Sequence, residues 1–276
     1  MRKAKWTPIS EFTVPDKWAM RCGDSLVLPA TATGFAELAI VDPPYNQGEV
    51  YDNYDDKKPR EEYLQFTREW MEVVSKALVS HGSLWIFAPD GWVSELDLMA
   101  RNDFGFTKRR HVVWAFTFGQ AAARNFTSSH CHLFYLTKLK TKFIFNEAAM
   151  RVPSARQLRY NDKRANPKGK MPDATWMLLA EQLEPHMTPD RDTWLYSRVC
   201  GTYKERKNVS PNQIPVPIMS RIIAACSTSG GLVFDPFAGT FSSGVAAIQL
   251  GRRYLGYDIS KKCVDVGLQR VLDLEL

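Results

Sequence analysis

Six short apolar runs, each halted by a turn or a polar residue, alternate along the chain with stretches of helical period, and that alternation leaves few ways to fold. The run at 36–41 leads straight into Asp42-Pro43-Pro44-Tyr45, where two successive prolines cannot continue a sheet ladder. Residues 83–88, 111–116, 132–137, 231–235 and 253–257 read as further strands. Between them, 61–78 carries Tyr63, Phe66, Trp70, Val73, Val74 and Ala77 at close to a 3.6-residue period, the pattern of a helix with one apolar face. Residues 92–100, 217–226, 242–250 and 260–272 also suit helices. The expected architecture is α/β: a mostly parallel sheet covered on both faces. Ligands of such sheets bind beyond the carboxyl ends of the strands. Asp42 and Asp235 both stand at such ends, which marks their two loops as one candidate site.

With 276 residues, of which 45% are apolar and 24% charged, the chain can bury a full core, so disorder and fibrous architectures are excluded. No apolar run is long enough to span a bilayer, so no membrane partner is expected. The start of the chain, Met1-Arg-Lys-Ala-Lys-Trp-Thr-Pro8, is basic without an apolar stretch behind it and does not read as a signal peptide. Five cysteines are scattered without a Cys-x-x-Cys spacing, which argues for a reducing compartment and against a disulfide framework. His130-Cys131-His132 would put two imidazoles on one face of a strand, but no second pair of ligands stands near it in sequence, and no metal site is expected.

Charge is unevenly placed. Residues 138–170 hold ten Lys/Arg against Glu147 and Asp162, a net of +8 in a chain of net +6, so the remainder sums to −2. The basic residues are Lys138, Lys140, Lys142, Arg151, Arg156, Arg159, Lys163, Arg164, Lys168 and Lys170. Either they form a solvated face or they make a surface for a polyphosphate such as DNA. The strand–helix alternation breaks down between about 138 and 211, and this stretch reads as an insertion projecting from the α/β core.

Asp42-Pro43-Pro44-Tyr45 sets a carboxylate beside a backbone carbonyl on a stiff turn, followed by a flat aromatic face. Such a pair accepts both N–H bonds of one amino group. Further along, Phe234-Asp-Pro-Phe-Ala-Gly-Thr-Phe-Ser-Ser243 ends a strand, turns at Gly239 and opens a helix, as a ligand-binding loop does. Asp258 ends the next strand, twenty-three residues on, well placed to accept from two ribose hydroxyls or simply to cap a turn.

With these motifs in this order, the chain resembles the β-class amino-methyltransferases of DNA. In that family an Asp/Ser-Pro-Pro-Tyr motif precedes the cofactor motif, a permutation of the usual Rossmann-like order. Asn212-Gln213-Ile-Pro215, 164–176 and 199–206 are also similar to family members, and the likeness covers roughly 20–270. It implies a single permuted Rossmann-like S-adenosylmethionine-dependent methyltransferase domain over 1–276. Within it, 20–137 would form the catalytic half, 138–210 a target-recognition insertion and 211–276 the cofactor half. Asp42, Pro43, Pro44 and Tyr45 would be catalytic, acting on a base flipped out of duplex DNA. S-adenosyl-L-methionine would lie against Asp24, Asp42, Asn212, Gln213, Asp235, Phe237, Gly239, Thr240, Ser242, Ser243 and Asp258.

An aspartate at the first position leans toward adenine N6. N4 of cytosine is the alternative, and a non-catalytic DNA-binding partner with a degenerate methyltransferase fold is a second. No cysteine stands where a ring-carbon methyltransferase needs its nucleophile. The chain departs from the family pattern in two places: Phe241 occupies the place of a glycine in the cofactor loop, where it is expected to narrow the pocket or shift the loop, and the 210–215 segment has Ser210 where a histidine and Ile214 where a lysine is usual. The loop 46–60 reads as polar and mobile, either a lid over the base or an ordinary exposed loop. The resemblance makes a homodimer and a cognate restriction nuclease candidate partners. With the cysteine usage, it suggests a bacterial or phage cytoplasmic setting.

Overall fold

Leu38 and Ile40 alternate with Ala39 and Val41 along one strand, and all four side chains are fully buried, so this strand is covered on both faces. The computed structural model that shows this describes residues 12–275 apart from 121–122, 125, 153, 177–206, 208 and 210–212. The strands are β1 (Trp18–Cys22), β2 (Ala36–Val41), β3 (Leu78–Ala88), β4 (Thr107–Gln120), β5 (Ser128–Thr137), β6 (Thr175–Trp176), β7 (Leu232–Asp235) and β8 (Arg253–Asp258). The helices are α1 (Arg60–Ala77), α2 (Val93–Asn102), α3 (Glu147–Met150), α4 (Ala155–Leu158), α5 (Val216–Cys226), α6 (Ser242–Gln249) and α7 (Lys261–Glu275).

One sheet holds the described strands in the order β1-β8-β7-β2-β3-β5-β4-β6. The five from β1 to β3 run parallel, β5 is antiparallel to β3, and β4 forms a long hairpin with β5. Helices α5 and α6 cover one face through Ile218, Ile222 and Val245, while Trp70 and Val74 of α1 and Leu96 of α2 cover the other. The α/β expectation therefore stands, with two additions. The strand β1 lay hidden in Trp-Ala-Met-Arg-Cys, too short and mixed to read, and β4 and β5 extend well beyond their apolar cores.

The basic segment begins at the end of the sheet remote from Asp42. Thr137 pairs with Ser83 early in β3, and the backbone N–H of Lys138 donates to Gly82. The Lys138 ammonium then donates to the carbonyls of Ser75 and Leu78, closing the C-terminus of α1 as a cation should. Nearby, Asn146 donates from its amide to the carbonyls of Ala224 and Ser227 and so caps α5.

Phe241 departs from its expected place in the pocket. It adopts a left-handed backbone (φ 72°), the conformation a glycine supplies without strain, at a cost of about 1–2 kcal/mol. Its ring turns away from the loop into the core, fully buried, 4.7 Å from the Tyr254 ring and 6.2 Å from that of Trp18. Two glycines make room for it: a Cβ on Gly244 would come within 2.2 Å of the Phe241 ring, and one on Gly267 within 2.9 Å of its Cβ. Gly244→Ala should therefore destabilise the fold by about 1–3 kcal/mol in denaturant unfolding, despite alanine's better helix propensity. Adding Phe241→Ala should make the pair markedly less than additive; strict additivity would contradict this packing.

Candidate active site

Five adjacent parallel strands each end at or within two residues of an aspartate: Asp24 after β1, Asp258 in β8, Asp235 in β7, Asp42 after β2 and Asp90 after β3. The chain leaves β2 toward β3 on one side and β7 toward β8 on the other. The order of connection thus reverses between β2 and β7, which opens a crevice beyond their carboxyl ends. The sequence-predicted loops of Asp42 and Asp235 meet there.

Asp42 is partly buried, and Tyr45 donates its hydroxyl to Asp42 Oδ1 at 2.5 Å. Burial drives the Asp42 carboxyl up to about 7; the Tyr45 hydrogen bond opposes the rise and the nearby Asp235 adds to it. Burial also pushes the Tyr45 hydroxyl far above its ordinary value, so it stays a donor. Beside it lies Cys131 Sγ, 4.0 Å from the Tyr45 oxygen. Beneath the turn, fully buried Tyr63 on α1 donates to the Pro44 carbonyl at 2.9 Å, and its ring packs 4.5 Å from Trp92. Tyr63 had read only as part of an apolar helix face; no sequence signal distinguishes its hydroxyl.

On the other bank, Asp235 accepts from the Ser243 hydroxyl and from the Phe237 N–H (3.0 Å), while Ser243 shares a further hydrogen bond of 2.8 Å with Tyr254. Burial pushes Asp235 up to about 7 against these bonds, and Asp258 adds to the rise. Asp258 accepts from the N–H of Gly239 (2.8 Å) and of Ser260 (2.7 Å), which leaves lone pairs on both oxygens. Asp24 accepts from the Leu26 N–H at 2.9 Å, and burial raises the carboxyls of both Asp24 and Asp258. Ser25 ties these strand ends together by donating to the Pro236 carbonyl at 3.3 Å.

Other predicted residues do different work. The ring of Phe237 points to α1, 5.9 Å from Phe66 and 6.3 Å from Trp70. Arg270 of α7, nearly fully buried, donates to the Thr240 carbonyl (2.7 Å) and hydroxyl (3.4 Å) and to the Ser242 hydroxyl (3.2 Å). A cation on the apolar stripe of α7 was the signal that could have revealed it. Gln213 is buried and accepts from the Lys207 N–H at 3.0 Å, whereas Asn212 lies outside the described residues.

The loop after Tyr45 is more ordered than its composition suggests. Buried Asp56 accepts from four successive backbone N–H groups, Asn46 to Glu49, at 2.7–3.0 Å. Asn46 exchanges hydrogen bonds with the backbone of Lys58 on both its oxygen and its nitrogen. Its far end reaches β8: Asn53 donates to the Ile259 carbonyl, and Asp52 accepts from Ser260 and Lys262, each at 3.1 Å. The loop therefore arches from the end of β2 to the end of β8. On its underside the Tyr54 hydroxyl is buried without a partner.

The basic residues divide. Lys138, Lys140 and Lys142 begin at the remote end of the sheet. Arg156 and Arg164 both bond Asp162 and hold its carboxyl well below the usual range. Arg151 pairs with Glu147 and Lys170 with Asp173, Arg159 lies over the Tyr160 ring at 5.6 Å, and Lys163 and Lys168 are exposed. The similarity at 199–206 lies outside the described residues.

A family model described as DNA methylase, N6_N4_Mtase, matches residues 36–269. Type II methyltransferase M.HpaI of Haemophilus parainfluenzae is 30% identical over 236 residues, covering 85% of this chain and 68% of that protein. DNA adenine methyltransferase YhdJ of Escherichia coli (strain K12) is 28% identical over 256 residues, 90% and 81% of the two chains. Among solved structures, the cytosine-N4-specific PvuII DNA methyltransferase aligns with a TM-score of 0.67 at 14% identity, over 95% of this chain and 89% of that one. The M1.HpyAVI–SAM complex aligns with a TM-score of 0.59 at 17% identity, over 92% and 99%. At these identities the solved structures establish the likeness of fold alone.

The Tyr45 bond to Asp42 makes a direct prediction. Tyr45→Phe keeps the ring but removes a donor that favours the carboxylate, so Asp42 should titrate higher by roughly one pH unit. Carboxyl carbon resonances followed through a pH titration would read this; an unmoved Asp42 would show that the hydroxyl does not tune it.

Proposed function

This chain belongs to the family of DNA methylases that modify exocyclic amino groups, and we propose that within it the chain methylates N6 of adenine in double-stranded DNA. It is a DNA methyltransferase dependent on S-adenosylmethionine, which when bound supplies an electrophilic methyl group on a positively charged sulfur. The donor set suits that charge. Asp24, Asp42, Asp235 and Asp258 gather at neighbouring strand ends, burial holds their carboxyls up, and no Lys or Arg pairs with them among the described residues. A cation between them relieves both the burial and the mutual repulsion.

The adenine reading is carried by one observation: a carboxylate, not a hydroxyl, heads the Pro-Pro-Tyr turn. The adenine amino nitrogen is a poor nucleophile because its lone pair is delocalised into the ring. The Asp42 oxygen that Tyr45 leaves open and the Pro43 carbonyl accept its two N–H bonds, turning the lone pair outward. Tyr63 stiffens this turn by holding the Pro44 carbonyl, and the Tyr45 ring, fixed by its own hydroxyl, stacks the flipped base. Asp258 and Asp24 accept from hydroxyls of the cofactor, and Asp235 with Ser243 sets the shape of the loop between them. Thr240 and Ser242 contribute through their backbone, since Arg270 engages their hydroxyls. The loop 46–58 closes over this crevice. The insertion 138–210 meets DNA through the exposed basic residues of 156–170, while Lys138 belongs to the scaffold.

Nucleoside mass spectrometry after incubating the protein with unmethylated duplex DNA and labelled S-adenosylmethionine should find N6-methyldeoxyadenosine, absent with Asp42→Ala. That variant should retain most of its cofactor affinity in calorimetry, because Asp24, Asp235 and Asp258 keep their carboxyls. N4-methyldeoxycytidine would reverse the base, and lost cofactor affinity in Asp42→Ala would undo the division of roles. A second expectation concerns pH. Asp42 and Asp235 are partly protonated near 7 in the free protein, and a cation favours their ionised forms. Cofactor binding should therefore strengthen as pH rises through 7 and release protons below it, seen as a dependence of the binding heat on buffer ionisation enthalpy. Affinity that is flat from pH 6 to 8 would speak against the charge pairing.

A further inference from the structure

On the other face of β5 from Cys131, three potential ligands converge. His130 and His132, two residues apart on one strand, present their Nε2 atoms 3.1 Å from each other. Asp90 comes from the turn after β3, whose Ala88 pairs with His132, and sets its Oδ1 2.6 Å from His132 Nε2 and 3.0 Å from His130 Nε2. A fourth group stands behind them: His111 of β4, with Nε2 2.8 Å from His132 Nδ1. The sequence had shown only the His130/His132 pair; Asp90 lies some forty positions away and is delivered by strand pairing.

We propose that Asp90, His130 and His132 bind one divalent transition-metal ion of the zinc class, with His111 orienting His132 from behind. Two imidazoles and a carboxylate are a zinc-type set, unlike the all-oxygen sites of Mg²⁺ or Ca²⁺. Bonds of about 2.0–2.1 Å in a tetrahedron put ligand atoms about 3.3 Å apart. The three atoms therefore need to spread by about 0.2–0.7 Å, most of it between Asp90 and His132. Side-chain exposures of 50% for Asp90, 35% for His130 and 15% for His132 leave a fourth position open to water.

With His132 Nε2 on the metal, its Nδ1–H points at His111 Nε2, which must accept. The 2.8 Å separation of these two nitrogens lets His111 fix the tautomer and orientation of His132. The ion would clip the turn after β3 onto β5. That turn carries Trp92, whose ring packs on Tyr63, the residue that holds the Pro44 carbonyl. The site is thus structural, one layer removed from the methyl-transfer loop and independent of its chemistry.

The test uses the full chain dialysed against chelator, titrated with Zn²⁺ by calorimetry and with Co²⁺ by visible absorption. One ion per chain is expected, with a low-coordinate cobalt spectrum and a raised melting temperature. His132→Ala should lose binding by a hundredfold or more, and His111→Ala, which touches no metal, should weaken it about 10–100-fold. His81→Ala, at an exposed histidine outside the cluster, should leave it unchanged. Equal affinity in the wild type and His132→Ala would overturn the site. X-ray absorption of the zinc-loaded wild type needs no variant: two imidazoles and an oxygen support it, and sulfur ligation or absence of bound zinc refutes it.

Discussion

A row of buried carboxylates, paired with no Lys or Arg among the described residues, is the constraint around which the molecule is arranged. Parallel strands β1, β8, β7 and β2 deliver Asp24, Asp258, Asp235 and Asp42 to one edge, and two of these titrate near 7. The thermodynamic sign follows. A carboxyl with a folded value of about 7 and an unfolded one of about 4 binds more protons in the folded state. Asp42 and Asp235 therefore subtract from stability as pH climbs between those values, and the loss is complete above the folded value. The apolar core on both sheet faces has to offset this, and a bound cation reverses it. A site built this way gains most from a ligand of the right charge.

Holding those carboxylates in place falls to neutral groups. Each strand-end loop is pinned to a neighbour by a contact that carries no net charge of its own: the Tyr63 hydroxyl on the Pro44 carbonyl, the Ser25 hydroxyl on Pro236, the Ser243 hydroxyl on Asp235. Where a charge is used, it is turned away from the crevice, as with Arg270 on Thr240 and Ser242, or spent on backbone N–H groups, as with Asp56. Hydrogen bonds from Tyr45, Ser243 and the Phe237 N–H thus both fix the shape of the crevice and moderate its charge, holding Asp42 and Asp235 below where burial alone would put them.

This division also explains what could be read in advance. The strands β2, β3, β7 and β8 and the helices between them were legible because burial on two faces or on one stripe imposes a period on the residues. Asp42 and Asp235 were legible because a strand end is where ligands of such sheets sit. Tyr63, Asp56 and Arg270 were not, because each acts through a partner distant in sequence: a hydroxyl on an apolar helix face looks the same whether or not a carbonyl waits above it. Phe241 shows the converse. Its identity pointed to a crowded pocket, but a left-handed backbone swings the ring into the core, so the side chain's bulk weighs on Gly244 and Gly267 instead.

The same lesson applies to charge. Composition located an excess of +8 in 138–170, yet register sorts its members. Strand β5 is antiparallel to β3, so the chain leaves it at the end remote from Asp42, and Lys138 is drawn under α1 to close its carbonyls. The chain then has to travel the length of the sheet before β6 pairs with β4 beside Trp114, level with Cys131. Along that return, Arg156 and Arg164 both bond Asp162 while their own side chains stay exposed, as that of Lys163 does. An arginine bonded to a carboxylate orders its own loop, and an unburied lysine answers to phosphate through salt-dependent attraction. The segment therefore needs its acids as much as its bases: Asp162 gives the loop its shape by holding two arginines that stay at the surface.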